Sequence, residues 1–104
     1  MKLVRDNIPD IIRKNNQIPI TRILNDKEYE EAVNQKIIEE ATEIIEAKTR
    51  DDILTELADS KEILLAKAAL YNITDNDIEE ERVKRASERG AFIKRVFLEE
   101  VKDA

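Results

Sequence analysis

Two stretches decide the fold: KIIEEATEIIEA, residues 36–47, and ILTELADSKEILLA, residues 53–66. Both repeat their apolar residues at three and four positions, the spacing of one helix face. In the first, Ile37, Ala41, Ile44 and Ile45 continue a stripe begun at Val33. In the second, Leu54, Leu57, Leu64, Leu65 and Ala68 form one stripe, and Ile63, Ala66 and Leu70 form another nearly opposite. A helix apolar on two sides is buried on two sides. In a chain of 104 residues the second side, beside Glu56 and Asp59, is expected to meet another subunit.

Capping signals bound these helices. Asn25 with Glu28, Thr49 with Asp52, and Thr74 with Asp77 have the spacing of an N-cap and its third helical residue. They predict helices over about 26–48, 50–71 and 75–89, the last ended by Gly90. Asn7 and Pro9 open a shorter helix that Asn15-Asn16 stops. Short connections make consecutive helices antiparallel. The expectation is an all-α, antiparallel helix bundle forming a single domain over residues 1–104. Residues 18–24 (IPITRIL) and 92–98 (FIKRVFL) are β-branched or alternating and are expected to pair as a short two-stranded element.

Composition narrows the chemistry. One Gly and two Pro argue against a turn-rich β fold. A net charge of −6 with interspersed Lys and Arg does not suit a nucleic-acid polymer as partner. Cysteine and histidine are absent, so acid–base or metal chemistry falls to carboxylates, Lys or Tyr. No apolar run approaches the ~20 residues of a membrane span. The N-terminus lacks a signal-peptide core. Those features predict a soluble, cytoplasmic protein.

The informative carboxylates sit where a solvated face should not be. Advancing each residue by about 100° from Val33 puts Ile44 near +20° and Glu40 near −20°, inside the apolar stripe. Glu43 and Lys36 fall just off its edge. A carboxylate in an apolar face must be neutralised, paired or metal-bound; Glu40 is expected either to pair with Lys36 or to bind a cation. Glu56 and Asp59 are again three apart, on one side of the following helix. They read either as ordinary exposed acids or, if antiparallel packing brings the pairs together, with Glu40 and Glu43 as an oxygen-only site. Such a site fits Mg²⁺, or Mn²⁺, better than zinc or copper.

The pair Glu40-x-x-Glu43, a spacer of twelve residues, and Glu56-x-x-Asp59 resembles the MazG-like, all-α NTP pyrophosphatase superfamily. KLVRDNIPDII at 2–12, ITRIL at 20–24 and ERGAFIKRVFLEEV at 88–101 resemble its stand-alone, phosphoribosyl-ATP pyrophosphohydrolase-like subgroup. The resemblance implies a bundle that forms a homodimer or a dimer of dimers. It implies hydrolysis of a nucleoside triphosphate to monophosphate and pyrophosphate, in house-cleaning of non-canonical nucleotides. Glu40, Glu43, Glu56 and Asp59 would be the Mg²⁺ ligands, and Lys36 would meet a phosphate. Glu39 would orient water or hold a second ion; Glu39 or Glu56 would take the proton of the attacking water. Arg5 and Lys2 would hold the outer phosphates, with Arg89, Lys94 and Arg95 weaker candidates. Phe92 or Tyr71 would stack on a base or pack in the core. Two rival readings stay open: a phosphoribosyl-ATP pyrophosphatase of histidine biosynthesis, and a non-catalytic helical interaction module.

Overall fold

The computed structural model describes all 104 residues. The chain forms four helices: α1 (Ile8–Lys14), α2 (Asp26–Glu46), α3 (Arg50–Ala69) and α4 (Asp75–Arg89). There is no strand. The backbone falls into two compact units, Met1–Ile73 and Thr74–Ala104.

The helices begin where side-chain oxygens can satisfy free amides. The Asn25, Thr49 and Thr74 side chains accept from the backbone N–H of Glu28, Asp52 and Asp77. Asp77 returns the bond to the Thr74 N–H, completing a capping box. Asn16 and Asn72, just past α1 and α3, adopt φ of 60° and 57°, a left-handed conformation that Asn tolerates. Gly90 follows α4 at φ 84°.

In the first unit, α2 and α3 form an antiparallel hairpin. Near one end Lys67 Nζ donates to Glu30 Oε2 at 2.8 Å and to Asn34 Oδ1 at 2.9 Å. Tyr71 Oη donates to Glu30 Oε2 at 2.5 Å, so Tyr71 clamps the hairpin. At the other end Glu40 and Glu43 meet Glu56. The buried residues are Val33, Ile63, Ala68 and Glu40. A core this small, with a carboxylate in it, leaves much apolar surface outside.

The two faces of α3 are used the opposite way round from the sequence expectation. The side bearing Ile63, Glu56 and Asp59 turns into the chain's own interior, where Ile63 is buried and the two acids half-buried. Of the longer stripe, Leu54, Leu57 and Leu64 are exposed, Leu65 is half-buried and Ala68 is buried. The shorter stripe faces α2, whose buried residues are Val33 and Glu40, and so sets the acids of α3 against a buried acid.

The two-stranded element is corrected: residues 18–24 and 92–98 contain no strand. Pro19 removes a ladder donor from the first stretch. In the second, Arg95 turns left-handed at φ 59° and its N–H donates to Phe92 O at 3.1 Å, which breaks the extension at its middle. Within the second unit, α4 has no buried residue, and Phe92, Ile93 and Phe97 are exposed. No helix is long and apolar enough to cross a membrane.

Candidate metal centre

The hairpin brings Glu40, Glu43 and Glu56 together, with one carboxylate oxygen of each within 4.8 Å of the others. Glu40 is only 6% exposed. Lys36 Nζ lies 3.5 Å from Glu40 Oε1 and 3.2 Å from Glu39 Oε1. Glu40 therefore has the basic partner expected of it at Oε1, while its Oε2 is buried without one. Glu56 Oε2 is in the same position.

Like charges so close together cannot all ionise freely. A hydrogen bond with Glu43, then burial, then the charges of Glu43, Asp59 and Glu40 push the Glu56 carboxyl up to about 7. Burial first, then Glu43, raises Glu40, against the pull of Lys36. Burial lowers Lys36, but Glu39 and Glu40 outweigh it and hold the ammonium above its usual range. Two buried, unpartnered carboxylate oxygens beside a third acid are what an oxygen-seeking divalent cation would satisfy. The donor set fits such a group; it does not distinguish Mg²⁺ from Mn²⁺.

Asp59, the fourth expected acid, stands outside the three-way convergence. Arg5 Nη2 donates to its Oδ1 at 2.6 Å. That bond ties the N-terminal segment to α3, and both partners line an open cavity of about 550 Å³ that reaches Glu40 of the cluster, within the size range of small-molecule sites. Arg5, Lys36, Glu40 and Asp59 line its polar part, and Ile8, Ile63 and Tyr29 are among its apolar part. Lys2 and Glu39 line a smaller neighbouring recess with Lys36 instead. Of the weaker candidates, Arg89, Lys94, Arg95 and Phe92 are exposed residues of the second unit.

Tyr29 was not singled out by sequence. The signal was there: Tyr29, Lys36 and Glu40 follow at seven and four residues, one helix face. A tyrosine in the first turns of a helix, however, reads as packing.

The family described as phosphoribosyl-ATP pyrophosphohydrolase matches residues 10–87. An uncharacterized protein of Mycolicibacterium smegmatis (strain ATCC 700084 / mc(2)155) is 45% identical over 53 residues, which cover 51% of this chain and 54% of that protein. The chain therefore spans about half the length of the curated relative it matches. No solved structure matches it.

Proposed function

Because the chain belongs to the phosphoribosyl-ATP pyrophosphohydrolase family, we propose that it is a Mg²⁺-dependent nucleoside triphosphate pyrophosphohydrolase, releasing a nucleoside monophosphate and pyrophosphate. The observation that carries this reading is the convergence of Glu40, Glu43 and Glu56 beside a cavity that also holds Arg5 and Lys36. Anionic phosphates need cations from the protein, and a hard divalent ion needs oxygens. Glu40 joins the two sets: it belongs to the carboxylate cluster and lines the cavity with Arg5 and Lys36.

In this reading Glu40, Glu43 and Glu56 hold the ion, and Asp59 joins them once Arg5 lets go. When bound, the cation polarises the phosphoryl group and makes a bound water more acidic. Lys36 and Arg5 orient the phosphates from the cavity wall. Glu56, with Oε2 buried and unpartnered, is the better-placed acceptor for the water proton. Glu39 keeps Lys36 in place through their ion pair. Lys2, at the neighbouring recess, reaches the phosphates only at their outer end. Mn²⁺ is accepted in place of Mg²⁺. The substrates are non-canonical nucleotides removed in house-cleaning, and the protein works in the cytoplasm as one domain.

The chain assembles as a homodimer or a dimer of dimers. The exposed Leu54, Leu57 and Leu64 stripe on α3 supports this, since large apolar patches on soluble chains mark contact surfaces. The test of the activity is phosphorus NMR on a panel of canonical and damaged nucleotides with Mg²⁺ and with Mn²⁺. Monophosphate plus pyrophosphate is expected from the natural chain. Loss of turnover is expected in Glu40→Gln with helical circular dichroism unchanged. Release of free phosphate, or full turnover by Glu40→Gln, would overturn the assignment. A marked preference for phosphoribosyl-ATP would move it to histidine biosynthesis.

A further inference from the structure

We infer that Tyr29 is the nucleobase-recognising residue of this site, so that the ligand is a phosphate ester carrying a flat heterocycle rather than a bare polyphosphate or sugar phosphate. The inference rests on the nucleotide reading above and adds to it the part of the substrate that the carboxylates and cations do not address.

The argument starts from the chain's two tyrosines. Tyr71 is committed: its hydroxyl donates to Glu30 and its ring lies 5.7 Å from Lys67 Nζ. Tyr29 takes no part in that clamp. It is half-buried and lines the same cavity as Arg5, Lys36, Glu40 and Asp59. It is the one aromatic ring on that wall, with Ile8, Ile11 and Ile63 among its apolar companions.

Its position along α2 gives the cavity a polarity. At about 100° per residue Tyr29, Lys36 and Glu40 lie within about 40° of one another around the helix. At about 1.5 Å per residue Tyr29 is some 10 Å from Lys36 and about 16 Å from Glu40 along the axis. One face therefore presents a ring, then an ammonium, then the carboxylate cluster. A nucleotide presents a base, a sugar and phosphates in the matching order. A base stacks on an aromatic face whatever its identity, because every base has a π-face. The ring thus selects for a base without selecting which one, as suits an enzyme acting on altered nucleotides.

Tyr29 is also the fourth residue of α2, where an apolar side chain can pack back on the residue preceding the cap, here Leu24. Tyr29→Leu keeps that packing and removes the π-face, so it separates the two roles. Tyr29→Phe keeps both.

The experiment measures equilibrium binding of a purine and a pyrimidine nucleoside monophosphate, and of tripolyphosphate, by dialysis with saturating Mg²⁺. Hydrolysis of the triphosphates is followed in parallel. Tyr29→Leu and Tyr29→Ala are expected to weaken both monophosphates by about tenfold, within the span of base–aromatic stacking. Tyr29→Phe should stay near the natural chain, and tripolyphosphate should bind all four proteins alike. Undiminished monophosphate binding by Tyr29→Leu would sink the inference while leaving the hydrolase reading intact. Equal weakening of monophosphate and tripolyphosphate would also sink it, since the cavity would then have lost its shape. A natural chain that neither binds nor hydrolyses any nucleotide would remove both readings together.

Discussion

Arg5 Nη2 reaches Asp59 Oδ1 at 2.6 Å across 54 residues of sequence, and so a guanidinium sits on one of the acids where a divalent cation would sit. Arg5 is exposed and Asp59 half-buried, at 56% and 35%, so the attraction is screened and modest. Arg5 then has two partners in turn: Asp59 when the cluster lacks a cation, and an anionic ligand when the cation takes Asp59. Arg5→Ala is expected to raise Mn²⁺ affinity, by at most about fivefold for a screened pair, and to raise KM for a nucleotide. Calorimetric titration of Mn²⁺ checks the first effect. Weaker ion binding in Arg5→Ala would mean that Arg5 instead props Asp59 in its binding position.

The pH dependence of the metal-free protein follows from Glu56. Its ordinary value is 4.5 and the folded chain pushes it up to about 7, chiefly through its hydrogen bond with Glu43. Between those values the folded state keeps a proton that the unfolded state has lost. Stability is therefore full below the lower value and falls as pH rises through the upper one. Glu40, raised mainly by burial, acts in the same direction. Glu30, lowered first by its hydrogen bond with Lys67, opposes this only at more acid pH, where its protonation costs stability. The melting temperature without metal should fall from about pH 5 to about pH 8. Glu56→Gln should flatten most of that slope, and saturating Mg²⁺ should reverse it, because a bound cation favours the ionised acids. A melting temperature rising over this range without metal would contradict the convergence of these carboxylates.

The helix boundaries were legible because capping is local. Asn25, Thr49 and Thr74 each declare a start within four residues, and the structure has the corresponding bonds. The convergence of Glu40, Glu43 and Glu56 was legible for a related reason: spacing of three fixes a face, and a short link fixes antiparallel packing. What escaped depended on distant partners. No local pattern says that Arg5 will hold Asp59. None says which of the two apolar stripes of α3 will turn inward, since both have helical spacing. The failed strand pairing shows the same limit, because β-branched composition says nothing of a left-handed turn at Arg95.

The far end of the hairpin depends on Glu30, which accepts from both Lys67 and Tyr71. Those bonds raise the Lys67 and Tyr71 values and lower that of Glu30, so Lys67 stays an ammonium, Glu30 a carboxylate and Tyr71 a neutral donor. Glu30→Ala should lower the melting temperature by about 5 °C, the scale of a solvent-screened ion pair lost from a chain of this size. Tyr71→Phe should cost less, since Lys67 keeps its carboxylate. Neither change touches the cavity, so KM for a nucleotide should stay the same. A large KM change in Tyr71→Phe, with stability unaltered, would return Tyr71 to the list of ligand-binding groups.

The uncovered leucine stripe gives the last expectation. Leu57 is 51% exposed at the middle of α3, flanked by the exposed Leu54 and Leu64. A chain with so few buried residues gains most from covering that stripe, because buried apolar area is the main stabilising quantity and small domains are short of it. Light scattering of the natural chain should give a multiple of its 12.1 kDa mass. Leu57→Asp places a charge on the covered face and should shift the mass to a single chain, with a lower melting temperature. Glu56 projects about 100° away from Leu57 around α3 and turns inward, so monomeric Leu57→Asp should still take up Mn²⁺. A natural chain that is monomeric at about 100 μM, well above the concentrations where specific interfaces persist, would refute a second copy as the cover for this stripe.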